Sequence, residues 1–319
     1  MDMGGFSEQA ADYQSIIREP IRNPGFIMQS QLEAPMAEFD RSAENIGNLV
    51  SLDHLNLTIP DQQLGTLFYV VGLGMTRDPY LTVGLENMWI NVGYQQFHVP
   101  TAAKAQVLRG EIHIITPNLN HMIDRLGSVG SRLKDSLFGF KQIDQQVFVT
   151  GPWGNRFSIS EPGVTALGGT RLGISSINFD VPKGTANGIA RFYSEMLGAR
   201  SVEEEGTAVV EAGPGQVMRF VETTVPLNDY DGHHIAVYLA DFSSAHDRLL
   251  KENLVTEESN EHQYRFRHII NPDSGEMLYE LEHEVRSMRH PMFGRPLINR
   301  DASISTRSYE RGSDALRFG

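Results

Sequence analysis

The sequence predicts an α+β protein built from four tandem modules, each a strand, a helix and three more strands. Three observations predict it. The segment LDHLNLTIP sets Leu55, Leu57 and Ile59 against His54, Asn56 and Thr58, the period of a half-buried strand. A helical stretch and three short aromatic strands parted by glycine follow it. The same order then recurs along a chain of 319 residues.

In the first module the helix runs from Leu64 to Gly74, where glycine stops it. YLTVGLE, NMWINVG and YQQFHVP then read as consecutive antiparallel strands. EIHIITPN, from Glu111 to Asn118, opens the second module, whose helix holds Asp124-Arg125-Leu126 and whose last strand lies in GPWGNRFSISEP. ISSINFDVP, from Ile174 to Pro182, opens the third. There, Phe192-Tyr193 followed by Leu197-Gly198 repeats the spacing of Phe68-Tyr69 and Leu73-Gly74. The stretch from Tyr230 to Leu249 opens the fourth, and Asp247-Arg248-Leu249 falls at the offset of the earlier triplet. The first module therefore matches the third and the second matches the fourth. A period of roughly 60 residues is too long for common solenoids and reads as a duplicated pair.

The expected organisation is an N-terminal arm over 1–48, a first two-module domain over 49–165, a second over 166–285 and a C-terminal arm over 286–319. The first arm is polar and carries proline turns; the last is rich in Arg, Ser and Gly and is expected to wrap the body or a neighbouring subunit.

Forty per cent apolar and 21% charged residues suit a globular protein, and a net charge of −13 argues against a nucleic-acid or anionic-membrane partner. The absence of cysteine excludes disulfides, thiolate nucleophiles, iron–sulfur clusters and cysteine-type zinc sites. MDMGGFSEQAADYQ carries no basic region followed by an apolar run, and no apolar segment is long enough to cross a bilayer, so a cytoplasmic location is expected. There is no GxGxxG after a strand, no GxSxG elbow and no HExxH helix. A metal would have to use His, Asp, Glu, Tyr, water or substrate. His234 opens one strand and Glu280 lies on a later one, and imidazole nitrogen and carboxylate oxygen are ordinary ligands of Fe, Mn, Ni or Zn.

With these repeats, GHHIAVYLADF, NPDSGEMLYELE and IARFYSEMLGA resemble the vicinal oxygen chelate superfamily over roughly residues 52–284. This group contains glyoxalases, bleomycin-resistance proteins and extradiol ring-cleaving dioxygenases. The resemblance implies that paired modules form two cup-shaped open β-barrels, with ligands on the first and last strand of each module. It places His234 and Glu280 in the C-terminal cup, with Ser176 where a third ligand is expected. In the N-terminal cup it places His54, His98 and Glu111, because Gly93 and His98 have the separation of Gly275 and Glu280. Departures from the extradiol pattern are His268, where a tyrosine is usual, and a longer Asp-Ser-Gly turn.

The implied function is a metal-dependent enzyme resembling extradiol dioxygenases, acting on a small, aromatic molecule with vicinal oxygens. Fe(II) is the first choice of metal, with Mn, Ni or Zn as alternatives. His268 and His233 are candidate proton carriers, with His262 beside them, and Tyr264 a candidate substrate donor. Trp89, Trp153, Phe192 and Tyr193 read as core or cup lining, and His113, His121 and His246 as ordinary surface or helix residues. The alternatives are a metal-free binding protein with cups closed by Trp89 and Trp153, and an isomerase or lyase of the same fold. A homo-oligomer is expected from the cup edges and the C-terminal arm.

Overall fold

The structure is a computed structural model that describes residues 45–78, 81, 86–163 and 172–295. The expected N-terminal arm, but for its last residues, and the C-terminal arm beyond residue 295 lie outside these.

The first module comprises β1 (Leu49–Asn56), α1 (Gln62–Gly65) continued by a π-helical stretch (Thr66–Gly72), β2 (Thr76–Arg77), β3 (Asn87–Val92) and β4 (Gln95–Pro100). The second has β5 (Gly110–Ile115), α2 (Leu119–Leu133), β6 (Gly139–Ile143), β7 (Gln146–Thr150) and β8 (Arg156–Ser160). The third has β9 (Gly173–Pro182), α3 (Ala186–Leu197), β10 (Ser201–Glu204), β11 (Thr207–Gly213) and β12 (Gln216–Thr223). The fourth has β13 (His234–Leu239), α4 (Phe242–Lys251), β14 (Val255–Asn260), β15 (Gln263–Ile270) and β16 (Met277–Ser287). The predicted β–α–β–β–β order is thus present four times, although the second strand of the first module is Thr76–Arg77 and most of the YLTVGLE stretch expected there lies outside the described residues.

Local chemistry explains the helix ends. Asp61, Asn118 and Asp241 each precede a helix, and their side chains accept hydrogen bonds from first-turn amides that have no intrahelical partner. Gly198 ends α3 in the left-handed region at φ 67°, which a residue with a Cβ rarely adopts.

Two eight-stranded mixed sheets result, in the orders β14-β15-β16-β13-β1-β4-β3-β2 and β10-β11-β12-β9-β5-β8-β7-β6. The first joins modules one and four through the antiparallel pair β1–β13; the second joins modules two and three through β5–β9. The expected pairing of module one with two, and of three with four, is not the pairing of the sheets. Modules one and two, like modules three and four, meet through their helices instead. Arg125 of α2 donates to the Val71 carbonyl at 3.2 Å, and Arg248 of α4 donates to the Met196 carbonyl at 2.9 Å. Leu126 and Leu249, beside these arginines, are fully buried. The repeated triplets therefore mark a repeated helix–helix contact, while strand pairing follows a long-range choice that the triplets do not encode.

The core lies between helices and sheets. In β1, Leu49, Leu52 and Leu55 are fully buried. Phe68, Phe97 and Phe157 pack with Tyr69 at ring-centroid separations of 4.9–6.4 Å. Each such ring contributes roughly 1.5–3 kcal/mol by leaving water. Trp153, partly buried, packs against this core.

One irregularity matters for the site. Leu52 pairs with Val237 but His54 pairs with Ala236, so Asp53 is an extra residue in β1. A bulge of this kind re-aims side chains that strict alternation would send to opposite faces.

Candidate metal centre

His54 stands on β1, His234 on β13 and Glu284 on β16. Ala236 pairs with His54 on one side and with Glu284 on the other, so adjacent strands bring the three side chains to one face. One ligand atom from each lies within 4.8 Å of the other two. His54 and Glu284 are almost fully buried, and His234 nearly so.

The surroundings orient each donor. His54 Nδ1–H donates to Asp53 Oδ2 at 2.8 Å, leaving Nε2 as the lone-pair nitrogen. Arg286 Nη1 also meets Asp53 Oδ2, at 3.1 Å, and Arg286 Nη2 meets Glu284 Oε1 at 2.5 Å. Arg265 pairs with Glu284 Oε2, and with Glu282 Oε1 at 2.5 Å. His234 Nε2 lies 3.8 Å from Glu284 Oε2. Burial alone would raise the Glu284 pKa, but Arg286, His54, Arg265 and His234 hold it down at about 2. Burial pushes His234 down to about 3, with His54 adding to the shift. At neutral pH the site therefore presents a neutral imidazole at His234 and a carboxylate at Glu284.

These residues fit a divalent metal. His54 Nε2 and His234 Nε2 are buried and have no hydrogen-bond partner, a penalty that a cation would remove. Two imidazoles and one carboxylate on one face are the donor set of a facial triad. Asp53 behind His54 is the usual outer partner that fixes a ligating histidine's tautomer.

His98 completes the geometry differently. An approximate twofold relating β1 to β13 exchanges His54 with His234, and it carries His98, opposite Asn56, onto Glu284, opposite Ala236. Yet His98 stacks on Trp89 at 3.9 Å, and its Nε2 bonds Asn87 Oδ1 at 2.6 Å. Its ring centroid stands 6.0 Å from that of His54, the same separation as His234, but its ligand atoms are not among those that converge. Burial, followed by the neighbouring His54 and His234, pushes its pKa down to about 2.

The other sequence candidates fall elsewhere. Glu280 lies on the same strand as Glu284 but nearer the turn, 3.6 Å from Arg267 and paired in register with the exposed His268. Glu284, not Glu280, joins the histidines. Equal counting from glycine misses it because β16 has 11 residues and β4 only 6. Glu111 is in the other sheet, where it lines a cavity of about 580 Å³, and does not join His54 and His98. Tyr264 faces the helices, packing on Phe242 and His246, and burial raises its pKa. His233 is fully buried, with Nδ1 on Asp231 Oδ1 at 2.6 Å. In the second sheet Ser176 pairs with His113, whose Nε2 meets Ser160 Oγ at 3.1 Å, and no comparable cluster occurs there among the described residues. Asp53, Arg265, Glu284 and Arg286 are the functional candidates that sequence reasoning missed. ELEHEVR was visible, but its depth in the cup was not.

No protein-family profile matches the sequence, and no curated protein matches it. Solved structures do. A proposed dioxygenase from Bacillus subtilis subsp. subtilis str. 168 superposes with a TM-score of 0.52 at 14% identity, covering 78% of this chain and 87% of that one. Glyoxalase I from Zea mays superposes with a TM-score of 0.53 at 12% identity, covering 74% and 92%. A mutant of the same Zea mays enzyme gives 0.51 at 13% identity, with the same coverage. No described helix is long and apolar enough to cross a membrane. Four β–α–β–β–β modules in two eight-stranded sheets, shared with glyoxalase I, give this chain the vicinal oxygen chelate fold.

Proposed function

We propose that the protein is a metal-dependent enzyme resembling extradiol ring-cleaving dioxygenases, with His54, His234 and Glu284 as ligands and Fe(II) as the metal. The observation that carries this reading is the pair of buried imidazole nitrogens without partners, aimed with one carboxylate at a common point. A three-donor set leaves coordination positions open on one side, the arrangement associated with non-haem Fe(II) oxygenation. The bound metal would act as a Lewis acid toward two adjacent substrate oxygens.

The chain's own residues do the rest. Asp53 holds the His54 tautomer, and Arg286 balances Asp53 and Glu284. Trp89 and His98 offer a flat aromatic wall beside His54, suited to a small, aromatic substrate with vicinal oxygens. The exposed His268 and Arg267 stand on the Glu280 side, where His268 is placed to exchange protons with solvent.

A second reading, an isomerase or lyase, has one specific support: His98 holds the place related by the twofold to Glu284 and would give a fourth donor if it turned from Asn87. The metal-free binder is disfavoured by the cost of the two partnerless nitrogens.

The deciding experiment combines elemental analysis with an aerobic screen of catechols against Fe(II)-loaded protein. Stoichiometric iron with oxygen uptake supports the dioxygenase. Metal without oxygen uptake, but with turnover of an isomerase panel, supports the second reading. No metal after supplemented expression rejects both.

A further inference from the structure

The segment after β16 has a place in the fold that the metal reading does not use. It leaves the sheet at Ser287, whose amide bonds the His262 carbonyl, and turns through bonds from His290 to Ser287, Phe293 to His290 and Arg295 to Met292. It then lies across the sheet. The Phe293 ring packs on Tyr238 of β13 at 4.9 Å, with His290 at 6.3 Å from the same ring. Arg295 Nη2 reaches Asp78 Oδ2 at 2.7 Å and Gln96 Oε1 of β4 at 3.3 Å. Between these anchors lies β1, so residues 288–295 span the strands β16, β13, β1 and β4 in turn.

Both anchors adjoin the triad. Tyr238 accepts a hydrogen bond from Arg286 at 3.3 Å, the arginine that balances Asp53 and Glu284. Gln96 is the register partner of His54. The far anchor buries two charges: Asp78 is fully buried and the Arg295 side chain is 3% exposed. A buried ion pair contributes little net stability against an apolar pair, yet breaking it on one side is strongly destabilising. Such a pair suits a fastening that is either closed or open. Along β13 the strap covers the Tyr238 end, whereas Glu280, Arg267 and exposed His268 lie at the other end.

We propose that residues 288–295 form a latched strap, fastened by the Arg295–Asp78 ion pair and by Phe293 on Tyr238, that closes one end of the triad's cup. Solutes then reach the triad from the Arg267 and His268 side. The fastening stands on the contacts above; the gating rests on the metal reading, and the two are read separately.

The test compares wild type, R295Q, R295K and F293A. Amide hydrogen exchange of residues 288–293 reads the fastening, and release of loaded Co(II) to EDTA reads the gate. In R295Q and F293A, exchange of the strap is expected to rise about tenfold or more while the core strands stay protected. Co(II) release is expected to accelerate in the same variants, with R295K restoring part of both. A strap that opens in R295Q without faster Co(II) release overturns the gate. Unchanged exchange in both R295Q and F293A overturns the latch. F293A, which removes only the ring on Tyr238, keeps the question answerable if R295Q does not fold. A wild type that binds no Co(II) defeats the metal reading, and the exchange result still decides the latch.

Discussion

Asp53 and His54, neighbours in the chain, face the same side of the sheet, with Asp53 Oδ2 and His54 Nδ1 2.8 Å apart. A regular strand forbids this, since successive side chains point to opposite faces. The bulge at Asp53 permits it, and through it Arg286 ties a residue of module one to a residue of module four.

The ligand set is tested by substitution. H54A, H234A and E284Q are each expected to lose stoichiometric metal on elemental analysis, while E280Q and E111Q retain it. Metal retained in E284Q and lost in E280Q would move the third ligand back to the residue nearer the turn.

Asp53 supports the site without ligating. D53N keeps the shape but removes the charge that fixes the His54 tautomer, and a loss of about 10–100-fold in metal affinity is expected. Titration with Co(II) against a competing chelator measures it. An unchanged affinity would mean that Asp53 serves only Arg286.

Arg286 is buried between two carboxylates. R286M leaves Glu284 with Arg265 as its remaining cation and Asp53 with only the His54 hydrogen bond, which is expected to cost up to about 3–5 kcal/mol of stability. Urea unfolding of chelator-treated protein reads this directly. The double variant R286M/D53N is expected to recover part of the loss, because one of the stranded charges is gone.

Acid should weaken the fold before the carboxylates titrate. His98 and His234 stay neutral in the folded protein down to about 2 and about 3, whereas in the unfolded chain they take protons near the ordinary value of 6.5. As pH falls from about 6.5, the unfolded state binds more protons than the folded state, so stability drops by up to about 1.4 kcal/mol per pH unit for each histidine. Glu284 acts in the same direction lower down: its contribution is present above its ordinary 4.5 and lost as pH falls toward about 2. Unfolding midpoints at pH 7, 5.5 and 4 check the first window, and H98N should flatten the slope there.

The modules are legible in the residues alone. Alternation in LDHLNLTIP, the glycine that stops the first helix, and the paired triplets around Arg125 and Arg248 are short-range signals, readable because their cause lies within one strand or helical turn. By lacking cysteine the sequence also limited the protein's ligands to His, Asp, Glu and Tyr, and it brought forward His54 and His234. Long-range strand pairing set β1 against β13, uniting those two histidines in one sheet and leaving Glu111 in the other. It alone decided that Glu284 stands level with them and that Asp53 shares their face. The reason is physical. Glu280, Glu282 and Glu284 have the same parity, so alternation cannot rank them. Register against a strand far away in sequence can, and a one-residue bulge changes a side chain's face without altering the hydrophobic pattern.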